Sequence, residues 1–301
     1  MSNSALIKSS IAKKYWMALT GLFLCTFLVG HLLGNLQLIM KTGEEGRRAF
    51  NEYAYFMGHN IFIKVLSYVT YASILFHAVD GIMLTIQNKK ARPVNYAYSN
   101  PSANSSLPSR WMAVLGTLIL VFIATHMANF WWKMKITGDV PLHSYVKTVD
   151  FPVSQDPMTG QLIKKPIEIT HYLNINGTYE KFSAKDPSSG NEQKLLELKN
   201  KTELYDINTK LKIGETYKDL HTVVIQFFSK SNSSALFGVL FYTISMIVLG
   251  FHLWHGFASA FQSLGVNHAK WNPLIKALGK GFAVIVPLLF AIIPILIYLK
   301  S

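Results

Sequence analysis

Four histidines lie deep inside four separate apolar stretches of this chain, and no other feature limits the possible folds as strongly. They are His31, His77, His126 and His252. An ionisable side chain inside a bilayer is costly and rare, so each one is a candidate functional residue. Four such residues in one chain indicate a buried site that is built from several helices.

The apolar stretches themselves are long enough to cross a membrane. The chain is 50% hydrophobic and only 15% charged, whereas about 25% of the residues of a soluble domain are charged. Because a bilayer crossing needs about 20 apolar residues, the sequence predicts five membrane-spanning helices. They cover about 16–40, 60–87, 111–133, 235–261 and 281–299. The predicted fold class is an all-α membrane protein with a four-helix core.

The chain divides into three parts. An N-terminal tail and three spans occupy 1–133, an insertion occupies 134–234, and the last two spans occupy 235–301. Residues 41–59 are predicted to form a loop on the same side as the insertion. The insertion is predicted to be a mixed extramembrane segment, with β-like runs at 167–175 and 178–184 and a helix at 192–205. No repeat of fixed period is found.

Basic residues are distributed unevenly. The insertion carries 13 basic and 12 acidic residues, while the rest of the chain carries 16 basic and 4 acidic ones. Ten Lys and Arg, Lys8 among them, flank the spans on the side of the N-terminus, against six on the other side. The positive-inside rule therefore predicts a cytoplasmic N-terminus. The excess charge indicates contact with membrane lipid and excludes a nucleic-acid interface.

The depths of the four histidines sort them into two pairs. His31 and His126 each lie 15 residues after a tryptophan, which is about 22 Å along a helix. His77 and His252 lie about 15 to 16 Å from the same membrane face. The sequence thus predicts an outer pair, His31 with His126, and an inner pair, His77 with His252.

Paired imidazoles from facing helices are typical ligands of haem iron. Cys25 is the only cysteine, so covalent attachment through two thiols is excluded and the expected cofactors are two haem b groups. Gly81 and Gly256 follow their histidines by one helical turn and are predicted haem contacts. His255, three residues after His252, is the alternative ligand.

Three segments resemble the di-haem cytochrome b membrane subunit of succinate dehydrogenase and fumarate reductase. They are TGLFLCTFLVGH at 20–31, RPVNY at 92–96 and HLWHGFASAFQSLG at 252–265. The resemblance implies a bacterial cytoplasmic membrane protein that binds a flavoprotein subunit, carrying FAD, and an iron–sulfur subunit. It also implies electron flow through the inner and then the outer haem to menaquinone, with the same pairing of the four histidines.

The resemblance implies roles for a few further residues. Glu52 corresponds to an acid that protonates quinone in some members, although a loop carboxylate paired with Arg47 or Arg48 is an equal alternative. A glutamate linked to proton movement in some members is replaced here by Gly250, and a lysine near a haem propionate is replaced by Ser263. Arg110 and Trp111 are the predicted substitute partners of a propionate.

Two other functions remain open at this stage. One is a di-haem anchor of another respiratory enzyme, such as a hydrogenase, nitrate reductase or formate dehydrogenase. The other is a haem-free transporter or proton channel that uses the histidines as proton relays. The subunits that copurify with the chain distinguish another respiratory anchor from the succinate enzyme. A visible spectrum distinguishes a cytochrome from a haem-free transporter.

Overall fold

The computed structural model describes residues 10–94, 98, 100–186 and 189–301. Lys8, Asn95 and Tyr96, on which parts of the topology and motif predictions rest, lie outside this part. The chain forms two compact units. The membrane unit comprises the chain to Thr42, Met57–Asn129 and Val224–Ser301, and the insertion unit comprises Gly43–Phe56 and Phe130–Val223.

The described residues form nine α-helices. In chain order, they are α1 Ser10–Met40, α2 Gly43–His59, α3 Ile61–Lys90, α4 Pro101–Asn104, α5 Leu107–Arg110, α6 Met112–His126, α7 Leu220–Phe228, α8 Ala235–Ser263 and α9 Asn272–Lys300. Five of them, namely α1, α3, α6, α8 and α9, are long and apolar enough to cross a membrane, with α6 continuing as π-helical turns to Thr137. The five predicted spans are confirmed.

The largest error in the span boundaries concerns the last helix. The sequence predicts a start near 281, whereas α9 begins at Asn272. Pro273 occupies the first turn, where a missing N–H costs nothing. The first nine residues of α9 also contain Lys276 and Lys280 and so fall outside the apolar run from which the sequence predicts the span.

Four of the spans form a closed ring in the membrane unit. Helix α1 packs against α3 and α8, and α6 also packs against α3 and α8. Helix α1 is therefore diagonally opposite α6, and α3 is diagonally opposite α8. Helix α9 lies outside the ring and packs against α8 and α1. The predicted core of four helices is present.

A glycine allows α8 and α9 to approach each other closely. A Cβ atom at Gly250 would lie 3.1 Å from the carbonyl oxygen of Ala283. Pro287 lies four residues after Ala283 and has no N–H, so this carbonyl lacks its usual helical partner. Gly250, which stands where some members of the resembled family carry a glutamate, thus has a structural role in this contact.

The insertion unit is built mainly from two antiparallel sheets. The larger has the order β1-β2-β3-β4 and the smaller the order β5-β6-β7. The strands are β1 Ser144–Gln155, β2 Leu162–Leu173, β3 Tyr179–Lys185, β4 Glu192–Lys194, β5 Leu196–Lys199, β6 Glu203–Asp206 and β7 Lys212–Glu215. Phe182, Leu196 and Leu204 form a buried cluster. The predicted strand runs at 167–175 and 178–184 overlap β2 and β3, although β2 begins five residues earlier, at Leu162.

Two predictions for the extramembrane parts are wrong. The predicted helix at 192–205 is a set of strands, since Asn200 and Lys201 adopt positive φ values of 48° and 69° and turn β5 into β6. The predicted loop at 41–59 contains α2, which belongs largely to the insertion unit. The segment forms a helix because its sequence is amphipathic, and α2 buries Phe50 and Asn51 on one side.

Buried polar groups fasten α2 to the rest of the insertion unit. The carboxylate of Asp219 accepts hydrogen bonds from Arg47 Nε at 2.8 Å and from Asn51 Nδ2 at 2.7 Å. His143, which has no exposed surface, accepts from Asn51 at 3.0 Å and donates to Glu44 at 2.5 Å. Every one of these groups has a partner, as burial requires.

Candidate functional site

The membrane unit brings the two predicted inner histidines next to each other. His77 on α3 and His252 on α8 have ring centres 6.1 Å apart, with an angle of 68° between the ring planes. These helices are diagonally opposite in the ring of four. The two imidazoles therefore meet across the middle of the bundle.

The two predicted outer histidines meet in the same way. His31 on α1 and His126 on α6 have ring centres 5.9 Å apart and an angle of 83° between planes. This pair uses the other diagonal of the ring. The structure thus contains both pairs that the depths predict, each drawn from two opposite helices.

The spacing within each pair suits a shared metal ion. An imidazole nitrogen binds a metal at about 2.0 Å and lies about 1.1 Å from its ring centre, so trans ligands of one ion have centres about 6 Å apart. Among the described residues, no group of three or more His, Cys, Asp or Glu side chains could hold a metal ion by themselves. Paired imidazoles fit a metal whose other ligands come from a macrocycle, such as haem iron.

A hydrogen bond fixes the orientation of the His77 ring. Its Nδ1 lies 3.2 Å from the backbone carbonyl oxygen of Met17 on α1 and 3.3 Å from the hydroxyl of Thr20. The Thr20 hydroxyl donates to the carbonyl of Trp16 at 2.7 Å. A carbonyl oxygen can only accept a hydrogen bond, so Nδ1 carries the proton and Nε2 keeps a free lone pair. Metal-bound histidines are typically held by such a bond from the second nitrogen.

The imidazole that lies opposite His77 is that of His252 and not that of His255. His252 faces His77, whereas the Nε2 of His255 lies 3.2 Å from the hydroxyl of Ser259 on its own helix. Nδ1 of His252 is buried and has no hydrogen-bond partner among the described residues. A buried ring nitrogen without a partner is uncommon in folded proteins, and a group bound to it would satisfy it.

Glycines of the two other helices border the inner pair. A Cβ atom at Gly21 on α1 would lie 3.1 Å from Cε1 of His77, and one at Gly116 on α6 would lie 3.7 Å from Cε1 of His252. Both helices therefore present a bare backbone beside these rings. Neither glycine is among the site residues that the sequence predicts.

The glycines that were predicted as haem contacts face methionines. A Cβ atom at Gly81 would lie 3.8 Å from the terminal methyl of Met17, and one at Gly256 would lie 3.9 Å from that of Met112. Both distances are ordinary van der Waals contacts. Gly81 and Gly256 therefore provide space for a neighbouring methionine, and their role as haem contacts remains a prediction.

These matched contacts show that the bundle is an internal repeat. The stretches Trp16–His31 and Trp111–His126 are identical at six of sixteen positions when shifted by 95 residues. In α3 and α8, a shift of 175 residues aligns Phe76, His77 and Gly81 with Phe251, His252 and Gly256. Helices α1 and α3 thus correspond to α6 and α8, although the two shifts differ and the chain has no repeat of fixed period.

The outer pair is bordered by aromatic rings. Phe27 stacks on His31 at 5.3 Å and Phe122 stacks on His126 at 5.6 Å, and the repeat relates these two contacts. Tyr242 on α8 packs beside His126 with ring centres 5.9 Å apart, and its hydroxyl accepts from Asn129 at 3.1 Å. The outer level therefore has an aromatic boundary, whereas the inner level has glycines.

Arg110 and Trp111, the predicted propionate partners, lie at the surface of the membrane unit. Arg110 donates to the backbone carbonyl of Ser105, and the Trp111 side chain is 53% exposed. Neither residue is placed beside the four histidine rings in the described contacts. Their proposed role therefore gains no support from the geometry.

Glu52 belongs to the insertion unit and is paired with a neighbour. One of its carboxylate oxygens lies 2.7 Å from Nε of Arg48, one helical turn away on α2. This is the alternative that the sequence left open for this residue. The quinone-protonating role of Glu52 remains a prediction.

No protein-family model matches the chain, and comparisons with curated proteins and with solved structures give no match either. The geometry of the two histidine pairs is therefore the main basis for assigning a function.

Proposed function

We propose that this chain is a di-haem cytochrome b that anchors a succinate:quinone oxidoreductase in a membrane. The observation that carries the proposal is the pairing of four intramembrane histidines across both diagonals of one four-helix bundle. Ring centres 5.9 and 6.1 Å apart are suited to two bis-imidazole irons. The three segments that resemble the family's membrane subunit support the same assignment.

Each proposed cofactor position has a defined pair of ligands. His77 and His252 would hold the inner haem, and His31 and His126 the outer one. Bound there, haem b supplies one-electron oxidation and reduction at its iron. Two imidazoles at one iron would leave no open position for oxygen, so the pairs would favour electron transfer over reaction with oxygen.

Neighbouring residues hold these ligands in position. The Met17 carbonyl keeps Nε2 of His77 available for the metal. Phe27 and Phe122 restrict the rotation of the His31 and His126 rings by stacking on them. Such fixed ligands limit rearrangement when the charge at the metal changes, and this favours rapid electron transfer.

The proposal extends to the partners and the location of the complex. A flavoprotein carrying FAD and an iron–sulfur subunit would bind on the cytoplasmic side, and menaquinone would be reduced on the other side, with Glu52 as a candidate proton donor. The dicarboxylate chemistry would lie on the partner subunits. The expected location is the bacterial cytoplasmic membrane, with the N-terminus in the cytoplasm.

The first test is to purify the chain in a mild detergent and determine its haem content and partners. We expect two haem b groups per chain, with sharp bands in a reduced-minus-oxidised spectrum, together with a flavoprotein and an iron–sulfur protein. A colourless preparation would overturn the proposal and favour a transporter. If two haems copurify with subunits of another respiratory enzyme, the chain is still a di-haem cytochrome, but its assignment to the succinate enzyme is wrong.

The second test assigns each histidine to a haem. His77→Ala should remove one spectral component and His31→Ala the other, because the two residues belong to different pairs. His255→Ala is the matched control, since His255 lies on the same helix as His252 but faces Ser259. Loss of the same component in both ligand variants would contradict the pairing.

A further inference from the structure

Three lysines lie together at the end of the π-helical continuation of α6, within the insertion unit. Lys201 Nζ donates to the backbone carbonyl oxygen of Thr137 at 2.9 Å, and Lys218 Nζ donates to that of Met134 at 3.1 Å. Lys135 belongs to the same turn of helix and is exposed. The last carbonyls of a helix lack intrahelical partners and carry partial negative charge, so they attract cations. Lys135, Lys201 and Lys218 form what we call the lysine cluster.

Two backbone positions are adapted to the ammonium group of Lys201. Gly138 ends the helix with a φ of 64°, and a Cβ atom at this residue would lie 2.6 Å from Nζ of Lys201. Lys201 itself has a φ of 69° in the tight turn that Asn200 begins, at a position where glycine is the usual residue. A lysine is disfavoured in this conformation. The contact of its side chain with the helix end, and not the turn, therefore explains why this residue is a lysine.

The carbonyls of one helix end do not account for three cations. Burial lowers the pKa of Lys218, and the positive charges of Lys201 and Lys135 lower this pKa further. The ammonium groups thus lie close enough to repel one another. In the described part of the chain, no acidic side chain forms an ion pair with any of the three, and this includes Asp139, four residues after Lys135. The cluster is therefore complementary to an anionic group.

The position of the cluster on a membrane-spanning helix identifies the kind of anion. Helix α6 and its continuation are long and apolar enough to cross a membrane as far as Thr137. Trp131 and Trp132 precede the cluster, and the side chain of Trp132 is 51% exposed. Tryptophans at the end of a span are typical of the interface between the bilayer and water. Lys135 follows Trp132 by three residues, which places it at the level of the lipid headgroups.

We propose that the lysine cluster binds the phosphate of an anionic phospholipid, such as phosphatidylglycerol, at the end of α6. Ammonium groups donate charge-assisted hydrogen bonds to phosphate oxygens. Each lysine near an anionic membrane surface raises the affinity about fivefold. Free inorganic phosphate has the same oxygen chemistry but lacks the acyl chains that keep a lipid at this level. The proposal requires a membrane-spanning α6 and does not depend on the proposed function.

The test measures lipid binding to the full-length protein in a mild detergent by native mass spectrometry. Phosphatidylglycerol and phosphatidylcholine with the same acyl chains are the two probes, and we expect the first to bind more tightly because only its headgroup has a net negative charge. Lys135→Gln should weaken the binding of phosphatidylglycerol about fivefold. Lys164→Gln is the matched control, since Lys164 is an exposed lysine of the same unit that lies on β2.

A purely structural role of the lysines is separated from anion binding by the choice of variants. Lys201 bonds to the helix end, so its loss can also affect folding. Lys135→Gln leaves both lysine–carbonyl hydrogen bonds in place, because Lys201 and Lys218 make them. We therefore expect Lys135→Gln to unfold at the wild-type temperature although it binds less lipid. Lys201→Arg keeps the charge and should keep the lipid affinity.

Several results would overturn the inference. One is equal affinity of the wild-type protein for the two lipids, and another is an equal loss of affinity in Lys135→Gln and Lys164→Gln. Inorganic phosphate is titrated in a separate arm, and complete displacement of phosphatidylglycerol by it would assign the cluster to free phosphate. If phosphatidylglycerol binds at the cluster only after a copurified subunit is removed, the cluster is a contact with that protein and not a lipid site.

Discussion

Gly21 of α1 lies directly against the His77 ring of α3, and a Cβ atom at this glycine would approach Cε1 of the imidazole to 3.1 Å. The contact joins a residue without a side chain to a proposed metal ligand. The repeat-related contact between Gly116 and His252 is looser, with a Cβ position 3.7 Å from the ring.

Gly21→Val should displace the His77 ring and remove the inner haem component from the visible spectrum. Gly30→Val is the matched control, because Gly30 lies on the same helix with no atom within 4 Å of its Cβ position. Both substitutions replace glycine by valine in the same helix and so change helix propensity equally. A difference between their spectra therefore measures the effect of the contact with His77. Gly116→Ala should be tolerated. Equal spectra for Gly21→Val and Gly30→Val would contradict a close fit at His77.

Much of the membrane unit could be predicted from the sequence, because hydropathy and helical rise are local properties. Five apolar runs define the spans, and constant rise per residue relates His31 to His126 and His77 to His252. The repeat was missed because the insertion lies between α6 and α8. The shift that aligns the two halves is therefore 95 residues for α1 with α6 but 175 residues for α3 with α8. No fixed period exists.

The errors in the insertion unit arise from contacts between residues that are distant in sequence. The segment 192–205 contains good helix formers, but Leu196 and Leu204 are buried against Phe182 of another strand. Tertiary packing of this kind overrides local propensity. The contacts of Gly21 and Gly116 were missed for the same reason, since their partners lie on α3 and α8.

The contact between Gly250 and α9 leads to a prediction about stability. Gly250→Ala would place a methyl group 3.1 Å from the carbonyl oxygen of Ala283, and such overpacking costs about 1 to 3 kcal/mol. Gly281→Ala on α9 is the control, because its Cβ position is open and alanine favours a helix. Thermal unfolding in detergent should show a lower midpoint for Gly250→Ala only. A midpoint equal to that of Gly281→Ala would refute this explanation.

The turn between β5 and β6 depends on a left-handed residue. Asn200 has a φ of 48°, a conformation that asparagine tolerates and β-branched residues avoid. Asn200→Val should therefore destabilise the hairpin by about 1 to 2 kcal/mol, whereas Asn200→Gly should not. Hydrogen exchange at the Leu196 and Leu204 amides measures the effect. Asn208→Val, in the next turn, controls for side-chain loss, and equal exchange in both valine variants would contradict the prediction.

The polar cluster around Asp219 should make the insertion unit sensitive to acid. Burial alone raises the pKa of Asp219, but hydrogen bonds from Arg47, Thr222 and Asn51 outweigh it and hold this pKa below its ordinary value. The pKa of Glu44 is also lowered, since hydrogen bonds from Tyr179 and His143 outweigh the opposing effect of burial. Carboxylates with depressed pKa values stabilise the fold above their unfolded pKa values, near 4. That stabilisation is lost as the pH falls through the folded values.

Asp219→Asn should remove much of this pH dependence and lower the stability of the insertion unit at neutral pH. The substitution leaves the guanidinium of Arg47 with only the half-exposed carboxylate of Glu44 as an anionic partner, and breaking a largely buried pair costs about 3 kcal/mol. Exchange of the α2 amides, compared with wild type at pH 7 and again at about pH 2, below the unfolded pKa of the carboxylate, measures both effects. Asp150→Asn, on the exposed part of β1, is the control. Parallel behaviour of the two variants would show that the cluster does not fasten α2, whereas a large gap at pH 7 that narrows at about pH 2 is the expected result.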